Sequence, residues 1–255
     1  MIADGLFKKF PVDSIFGLHN FPGLPLGHFA VRSGPMLASI DTFEFRIFSE
    51  HSHPSLQHRV PDPILIASRI VQDAHTFKAR YLDPAEPAVL TITQFQCGNP
   101  NDRQSVHVTP SEAVVRGTFL AFNDELRGMV ETGLRRIVAH AAEAAEAKSS
   151  FLFERGYPPV INREPQTRFA VEVAQSIIGE RCVEADMKPL MAAEDFAFML
   201  REVPGCYILI GTGRGGATEA PCYLHNPNYD FNDDAIPIGM QYWVTLAERF
   251  LQTSR

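Results

Sequence analysis

Phe43-Glu44-Phe45-Arg46-Ile47 is the stretch that decides the fold of this chain. Its apolar residues alternate with charged ones, and a period of two predicts a strand with one buried face. Asp62-Pro63 then predicts a helix start, because aspartate caps well and proline fits the first turn. Two strands, a second helix and a fourth strand are predicted to follow, at residues 90–93, 113–122, 123–141 and 151–154. This order is that of the split βαβ, or ferredoxin-like, unit.

The sequence on either side of this unit follows a different pattern. Val12–Leu18 predicts a buried strand, and Gly156-Tyr157-Pro158-Pro159 marks the change of pattern after the unit. The remaining predicted elements are helices from Pro165, over Glu194–Arg201 and from Pro237, and a short strand at Cys206–Ile210. We therefore predict an α/β chain in which a small α+β domain, residues 36–155, is inserted into an outer domain formed by residues 1–35 and 156–255.

The composition argues against several classes of function. The 255-residue chain has a formal net charge of −7, which disfavours nucleic acid because phosphate binding needs a basic face. Its 4 cysteines form no Cys-x-x-Cys pair, which is typical of packed thiols in a reducing compartment. No apolar stretch approaches the length of a membrane span, and the first residues do not resemble a signal peptide. We expect a cytoplasmic protein that binds neither nucleic acid nor membrane.

The tripeptide Leu-His-Asn occurs twice, and both copies lie in the predicted outer domain. Its histidines are His19, which closes the first predicted strand, and His225. Ligands commonly bind at strand ends of α/β sheets, and a neutral imidazole there is a good ligand for Zn or a similar ion. Two histidines do not complete a metal site, so ordinary structural histidines remain the alternative reading.

Other polar residues could complete a site or have a purely structural role. Cys222 forms a Cys-x-x-His half-motif with His225, which is a weak signal by itself. The acids after His225 could be ligands, or turn and N-cap residues: Asp230, Asp233 and Asp234. Glu194-Asp195 opens a predicted helix, where the dipole alone favours carboxylates. The inserted domain carries a cluster of three histidines, His51, His53 and His58. They could bind a metal, transfer protons or lie in a solvated loop, and the sequence alone favours the loop.

Five segments together resemble one known family. They are Met1-Ile-Ala-Asp-Gly-Leu-Phe, Phe16-Gly-Leu-His-Asn, Arg155-Gly-Tyr-Pro-Pro, Ala193-Glu-Asp-Phe-Ala-Phe and Leu224-His-Asn-Pro-Asn-Tyr-Asp-Phe-Asn-Asp. This combination resembles the hippurate hydrolases and the auxin-conjugate (indoleacetyl-amino-acid) hydrolases, a branch of the aminoacylase and metallopeptidase family. The likeness runs from residue 1 to residue 251.

The resemblance implies a metallopeptidase-type catalytic domain with an inserted ferredoxin-like lid that also forms a homodimer. Family members hydrolyse the amide bond of N-acyl amino acids with one or two divalent metal ions, here Zn, Mn, Co or Ni. His19 and His225 match two metal-ligand positions. His53 matches the lid histidine, which in the family reaches the neighbouring subunit's site and stabilises the anionic oxygen of the tetrahedral intermediate.

The resemblance also has departures. The family's other ligands and its general base come from a Cys-Gly-His-Asp-type segment and a Glu-Glu pair, both expected upstream of Met1. We therefore expect an N-terminally truncated chain with weak or no activity by itself. Lid positions differ from the family pattern at His51-Ser52, His107 and Leu120. Two alternatives stay open, namely a non-catalytic interaction protein that dimerises through residues 36–155 and a split enzyme whose partner chain supplies the missing ligands.

Overall fold

The computed structural model describes residues 1–99, 101, 106–214 and 222–253. It consists of two compact units. Unit 1 comprises Met1–Leu37, Val160–Leu190 and Glu194–Arg255, and unit 2 comprises Ala38–Pro159 with Met191–Ala193.

Helices and strands are interspersed along the chain, as in a mixed α/β protein. In chain order they are α1 (Leu6–Lys9), β1 (Ile15–Pro25), β2 (Phe29–Ala30), β3 (Gly34–Leu37), β4 (Asp41–Phe48), α2 (Pro63–Tyr81), β5 (Ala88–Cys97), β6 (Glu112–Ala121), α3 (Asp124–Glu143), β7 (Lys148–Arg155), β8 (Val160–Asn162), α4 (Glu164–Ile178), β9 (Val183–Glu184), α5 (Phe196–Glu202), β10 (Gly205–Gly213) and α6 (Ala235–Thr253). None of the helices in the described residues combines the length and the apolar character needed to cross a membrane.

Unit 1 is built on a four-stranded sheet with the order β1-β10-β2-β9. β1 and β10 are parallel, and β10 is buried along nearly its whole length, as expected for a strand covered on both faces. Successive residues of β1 face different helices. Phe16 packs on Phe169 of α4 and Phe250 of α6, with ring centroids 6.0 and 5.8 Å apart. Gly17 points the other way and lies against Phe196 of α5.

Unit 2 has the predicted order of strand, helix, strand, strand, helix and strand. Its antiparallel sheet has the order β5-β6-β4-β7, and the apolar faces of α2 and α3 complete two hydrophobic clusters with it. Both predicted helix caps are present, since Asp62 Oδ1 accepts the amide of Ile64 at 2.9 Å and Asn123 Oδ1 accepts that of Leu126 at 2.7 Å.

The predicted bounds of three elements in unit 1 were wrong. β1 starts at Ile15 and continues through the predicted loop, because Pro25 pairs again with β10 after an irregularity beyond Phe21. His19 therefore lies inside the strand and does not close it. α5 begins at Phe196, since the Glu194 side chain accepts a hydrogen bond from Tyr207. α6 begins at Ala235, before Pro237, because proline is tolerated in the first turn of a helix.

A buried ion pair joins the two points where the chain enters and leaves the sheet of unit 2. Nε and Nη2 of Arg127 in α3 donate to Asp41 at 2.8 and 2.5 Å, and the Gly156 amide donates to the same carboxylate at 3.1 Å. The two side chains are only 3% and 0% exposed. Burial opposes the charge of Arg127, but its hydrogen bonds to Asp41 and Asp124 outweigh that and raise the pKa of the guanidinium.

We expect Arg127→Ala to lower the free energy of unfolding of unit 2 by about 3–5 kcal/mol, because it leaves Asp41 buried without a counter-charge. Arg69→Ala in α2 is the matched control, since its ion pair with Asp73 spans 3.8 Å at the surface and contributes about 0–1 kcal/mol. Urea unfolding measured by hydrogen exchange in β4 and β6 gives both values. Equal losses for the two variants would contradict the importance of the buried pair.

Candidate metal centre

The parallel pairing of β1 with β10 places Gly17 opposite Tyr207 and His19 opposite Leu209. A Cβ atom on Gly17 would lie 2.7 Å from Cδ2 of Tyr207 and 3.2 Å from the Phe196 ring. Glycine in a strand commonly marks a place where another group approaches the backbone closely, and here that group is the Tyr207 ring. Because His19 is two residues after Gly17, both lie on the same face of β1.

Tyr207 fixes the carboxylate of Glu194 on this face. The tyrosine is 4% exposed, and its hydroxyl donates to Oε2 of Glu194 at 2.7 Å. Burial, reinforced by Glu194, raises the pKa of Tyr207 far above its ordinary value. The hydroxyl therefore stays protonated over the whole ordinary pH range and remains a donor to Glu194. The other carboxylate oxygen accepts the Asp195 amide at 3.0 Å.

His19 presents Nε2 to this carboxylate. Its Nδ1 lies 2.7 Å from the carbonyl oxygen of Asn20, and since a carbonyl only accepts, Nδ1 carries the hydrogen. In the neutral ring Nε2 then has a free lone pair, which is the form that binds metal ions. Nε2 lies 3.9 Å from Oε2 of Glu194. Two electron-rich atoms at this separation are stabilised by a metal ion near both of them.

His225 lies in an exposed turn attached to the same strand pair. Phe21, on the same face of β1 as His19, packs on Tyr223 with centroids 6.4 Å apart. The Asn20 side chain donates to the Tyr229 hydroxyl at 2.7 Å, so contacts on both sides of His225 hold its turn. Its φ of 68° is in the left-handed region, which costs a residue with a Cβ atom free energy.

The other candidate residues have different neighbours. His53 belongs to unit 2, is exposed, and accepts the Ser55 amide on Nδ1 at 3.3 Å. Asp230 pairs with Arg214 at 2.8 Å near the surface, and Cys222 is an exposed free thiol. In unit 1 the structure therefore brings the His19 imidazole next to Glu194 and Tyr207, and attaches the turn that carries His225 to Asn20 and Phe21 of β1.

Sequence reasoning missed the link between Glu194 and Tyr207. Glu194 was interpreted as a helix-start carboxylate, yet α5 begins two residues later and Asp195 makes no side-chain cap. The available signal was Gly17, since a glycine inside an apolar strand indicates a close approach by some other group. Which group approaches depends on the register with β10, which local sequence does not reveal.

The donors that are present fit a divalent cation in their chemistry. Imidazole nitrogen and carboxylate oxygen are ligands that Zn, Mn, Co and Ni accept. Within the described part of the chain, no group of three or more His, Cys, Asp or Glu residues is arranged to hold a metal ion. His19 and Glu194 thus place one nitrogen and one oxygen donor 3.9 Å apart without completing a metal centre.

These features define an α/β protein with nitrogen and oxygen donors close together on one face of a parallel strand pair. The sequence profile of peptidase family M20/M25/M40 matches residues 1–249, and the chain belongs to this family.

Comparison with three relatives shows what share of a family member's length this chain covers. It is 30% identical over 252 residues to the hippurate hydrolase of Campylobacter jejuni, covering 99% of this chain and 63% of that protein. It is 31% identical over 242 residues to the N-acetylcysteine deacetylase of Bacillus subtilis, covering 95% of this chain and 60% of that protein. It superposes with a TM-score of 0.75 and 28% identity on the crystal structure of a dinuclear metal-binding peptidase of the M20 family from Bacillus subtilis, covering 99% and 60%. The chain thus spans less than two thirds of the length of each relative.

We expect Gly17→Ala to lower the free energy of unfolding of unit 1 by about 1–3 kcal/mol, because the new Cβ pushes the Tyr207 ring away from Glu194. Gly239→Ala in α6 is the control, since its Cβ would meet only ordinary contacts from 3.7 Å and helix propensity favours alanine by up to about 1 kcal/mol. Urea unfolding of both variants measures the difference. Similar stabilities would show that the ring does not depend on the glycine.

Proposed function

We propose that this chain is part of a metal-dependent hydrolase that cleaves the amide bond of N-acyl amino acids. Hippurate and N-acetylcysteine, the substrates in the names of two relatives near 30% identity, are both N-acyl amino acids. The observation that carries the proposal is the 3.9 Å approach of the free Nε2 of His19 to the fixed Glu194 carboxylate. The dinuclear metal-binding peptidase of the same family supports a divalent ion, whose identity stays open.

In this proposal His19 and His225 hold the metal ion. The Asn20 carbonyl orients His19, and Glu194, fixed by Tyr207, places negative charge beside its Nε2. A bound divalent ion supplies Lewis-acid polarisation of the amide carbonyl and activation of water. The protein's own task is to keep these side chains in one arrangement, so that little reorganisation is needed during reaction.

His53 suits a different role because its neutral ring carries the hydrogen on Nε2, whereas that of His19 carries it on Nδ1. The Ser55 amide can only donate, so Nδ1 of His53 is an acceptor and the hydrogen of the neutral ring is on Nε2. An exposed N–H of this kind can donate to a carbonyl oxygen as negative charge develops on it. We propose that His53 does so in the site of a second subunit, within a homodimer formed through residues 36–155, the lid.

Two features of unit 2 support the dimer proposal. Within the described residues β7 pairs only with β4, so one of its edges is open, and it exposes Leu152 by 52%.

All 4 cysteines are free thiols, which supports the cytoplasmic location expected from the sequence.

We expect the 255 residues alone to hydrolyse hippurate weakly or not at all. Among the described residues no group of three or more donors is arranged to hold a metal ion, and a positioned general base alone contributes about 10²–10⁴-fold to rate. The assay uses the purified protein with Mn²⁺ or Zn²⁺. Turnover that disappears in His225→Ala would refute the expectation of inactivity while supporting the metal site.

Replacing His225 with glycine should separate metal binding from stability. We expect His225→Gly to weaken Zn²⁺ binding at least about tenfold, because a ligand is lost. The same change should leave stability equal or raise it by about 1 kcal/mol, because glycine adopts the φ of 68° without strain. Calorimetric Zn²⁺ titration and urea unfolding measure the two effects.

Glu146→Gly is the matched control for that variant. Glu146 is the other non-glycine residue with positive φ in the described chain, at 51°, and it lies in unit 2. It should show the same gain in stability with unchanged Zn²⁺ affinity. Unaltered Zn²⁺ binding by His225→Gly would remove His225 from the proposed site.

A further inference from the structure

The tripeptide Leu-His-Asn occurs at residues 18–20 and 224–226, and the proposed function uses only its two histidines. Each histidine is followed directly by an asparagine. Asn20 lies in β1 opposite Ile210 of β10, and Asn226 lies in the exposed turn that carries His225. Groups that hold a metal ligand in place strongly affect how well the ligand binds. The two asparagines are therefore the first residues in which to look for such a role.

Asn20 makes one contact through its main chain and another through its side chain. Its carbonyl oxygen accepts the hydrogen on Nδ1 of His19 at 2.7 Å. Its side-chain nitrogen Nδ2 donates to the hydroxyl of Tyr229, also at 2.7 Å. Tyr229 lies 209 positions further along the chain, in the segment that follows His225. Asn20 thus orients the ring of one proposed ligand and holds a side chain from the segment of the other.

The Tyr229 hydroxyl has a second neighbour on the sheet. Oγ1 of Thr212 in β10 lies 3.3 Å from it, and Thr212 is only 4% exposed. A hydroxyl accepts and donates at once, so Tyr229 accepts from Asn20 and can give its own hydrogen to Thr212. Because Asn20 belongs to β1 and Thr212 to β10, both strands of the parallel pair hold the tyrosine oxygen.

Two consecutive turns connect Tyr229 with His225. The Asn226 amide donates to the Tyr223 carbonyl at 3.3 Å, and the Tyr229 amide donates to the Asn226 carbonyl at 2.9 Å. Each bond closes a turn of four residues, 223–226 and 226–229, and the turns share Asn226. His225 is the third residue of the first turn, where a type II turn requires the positive φ that His225 has.

We propose that Tyr229 is a positioning residue that joins the two Leu-His-Asn tripeptides and so sets where His225 lies relative to His19. The connection runs from His19 through Asn20 to the Tyr229 hydroxyl, and from the Tyr229 amide through Asn226 to His225. The left-handed φ of His225 costs free energy, so it needs contacts of this kind to persist. The inference rests on the proposed function only in treating both histidines as ligands of one metal ion.

The test is Tyr229→Phe in the 255-residue chain, which removes the hydroxyl and keeps the ring. We expect Zn²⁺ affinity to fall about 10–100-fold, the range for changes in groups that orient metal ligands. The ring ¹⁵N resonances of His19 and His225, which should titrate together in the parent chain, should titrate separately in the variant. General destabilisation does not separate the two titrations, because it affects both histidines alike.

A second readout needs no metal ion. A residue with positive φ gives a strong NOE between its own amide and Hα hydrogens, and His225 should show this NOE in the parent chain. It should be weaker in Tyr229→Phe. Tyr223→Phe is the matched control for both readouts, because it removes a hydroxyl from the same pair of turns, in a side chain that is 55% exposed. It keeps the ring that packs on Phe21 and should match the parent chain.

Three outcomes would overturn the proposal. They are an unchanged His225 NOE in Tyr229→Phe, an unchanged Zn²⁺ affinity in that variant, and equal losses of affinity in Tyr229→Phe and Tyr223→Phe. A parent chain in which Zn²⁺ does not shift the His225 ring resonances would contradict the proposed function instead. The NOE comparison would then still decide whether Tyr229 joins the two tripeptides, since it is made without metal.

Discussion

The parallel pairing of β1 with β10 is the constraint on which the rest of unit 1 depends. Its register puts Gly17 opposite Tyr207, and the missing side chain of the glycine gives the tyrosine ring its place. From there the hydroxyl fixes Glu194, and Glu194 faces His19 two residues along the same strand. A shift of one residue would turn His19 to the other face, toward α4 and α6, and would separate every group of the proposed centre.

Two histidines in this chain have opposite kinds of backbone neighbour at Nδ1. The Asn20 carbonyl holds the hydrogen of His19 on Nδ1 and frees Nε2 for a cation. The Ser55 amide occupies Nδ1 of His53 and leaves the hydrogen on Nε2, where it can be donated. Nδ1 of His53 also lies 2.8 Å from the Ser55 hydroxyl, so neither arrangement uses a further ionisable partner. The division suits a hydrolase in which one histidine binds metal and another stabilises developing charge.

Local sequence was sufficient for the helices and strands of unit 2 and insufficient for the site. The alternation of Phe43, Phe45 and Ile47 and the caps Asp62 and Asn123 act within a few residues, and the structure contains the strand and both capped helices. The contact between Tyr207 and Glu194 depends on strand register and on where α5 begins, which are tertiary properties.

The central claim is that His19 and His225 bind the same cation. It can be tested most directly by following the imidazole ¹⁵N resonances of both residues during a Zn²⁺ titration of the intact chain. The account predicts that Nε2 of His19 and one ring nitrogen of His225 shift together, with a common affinity that saturates at one equivalent. Shifts at two separate affinities, or a His225 resonance that does not move while that of His19 does, would contradict it.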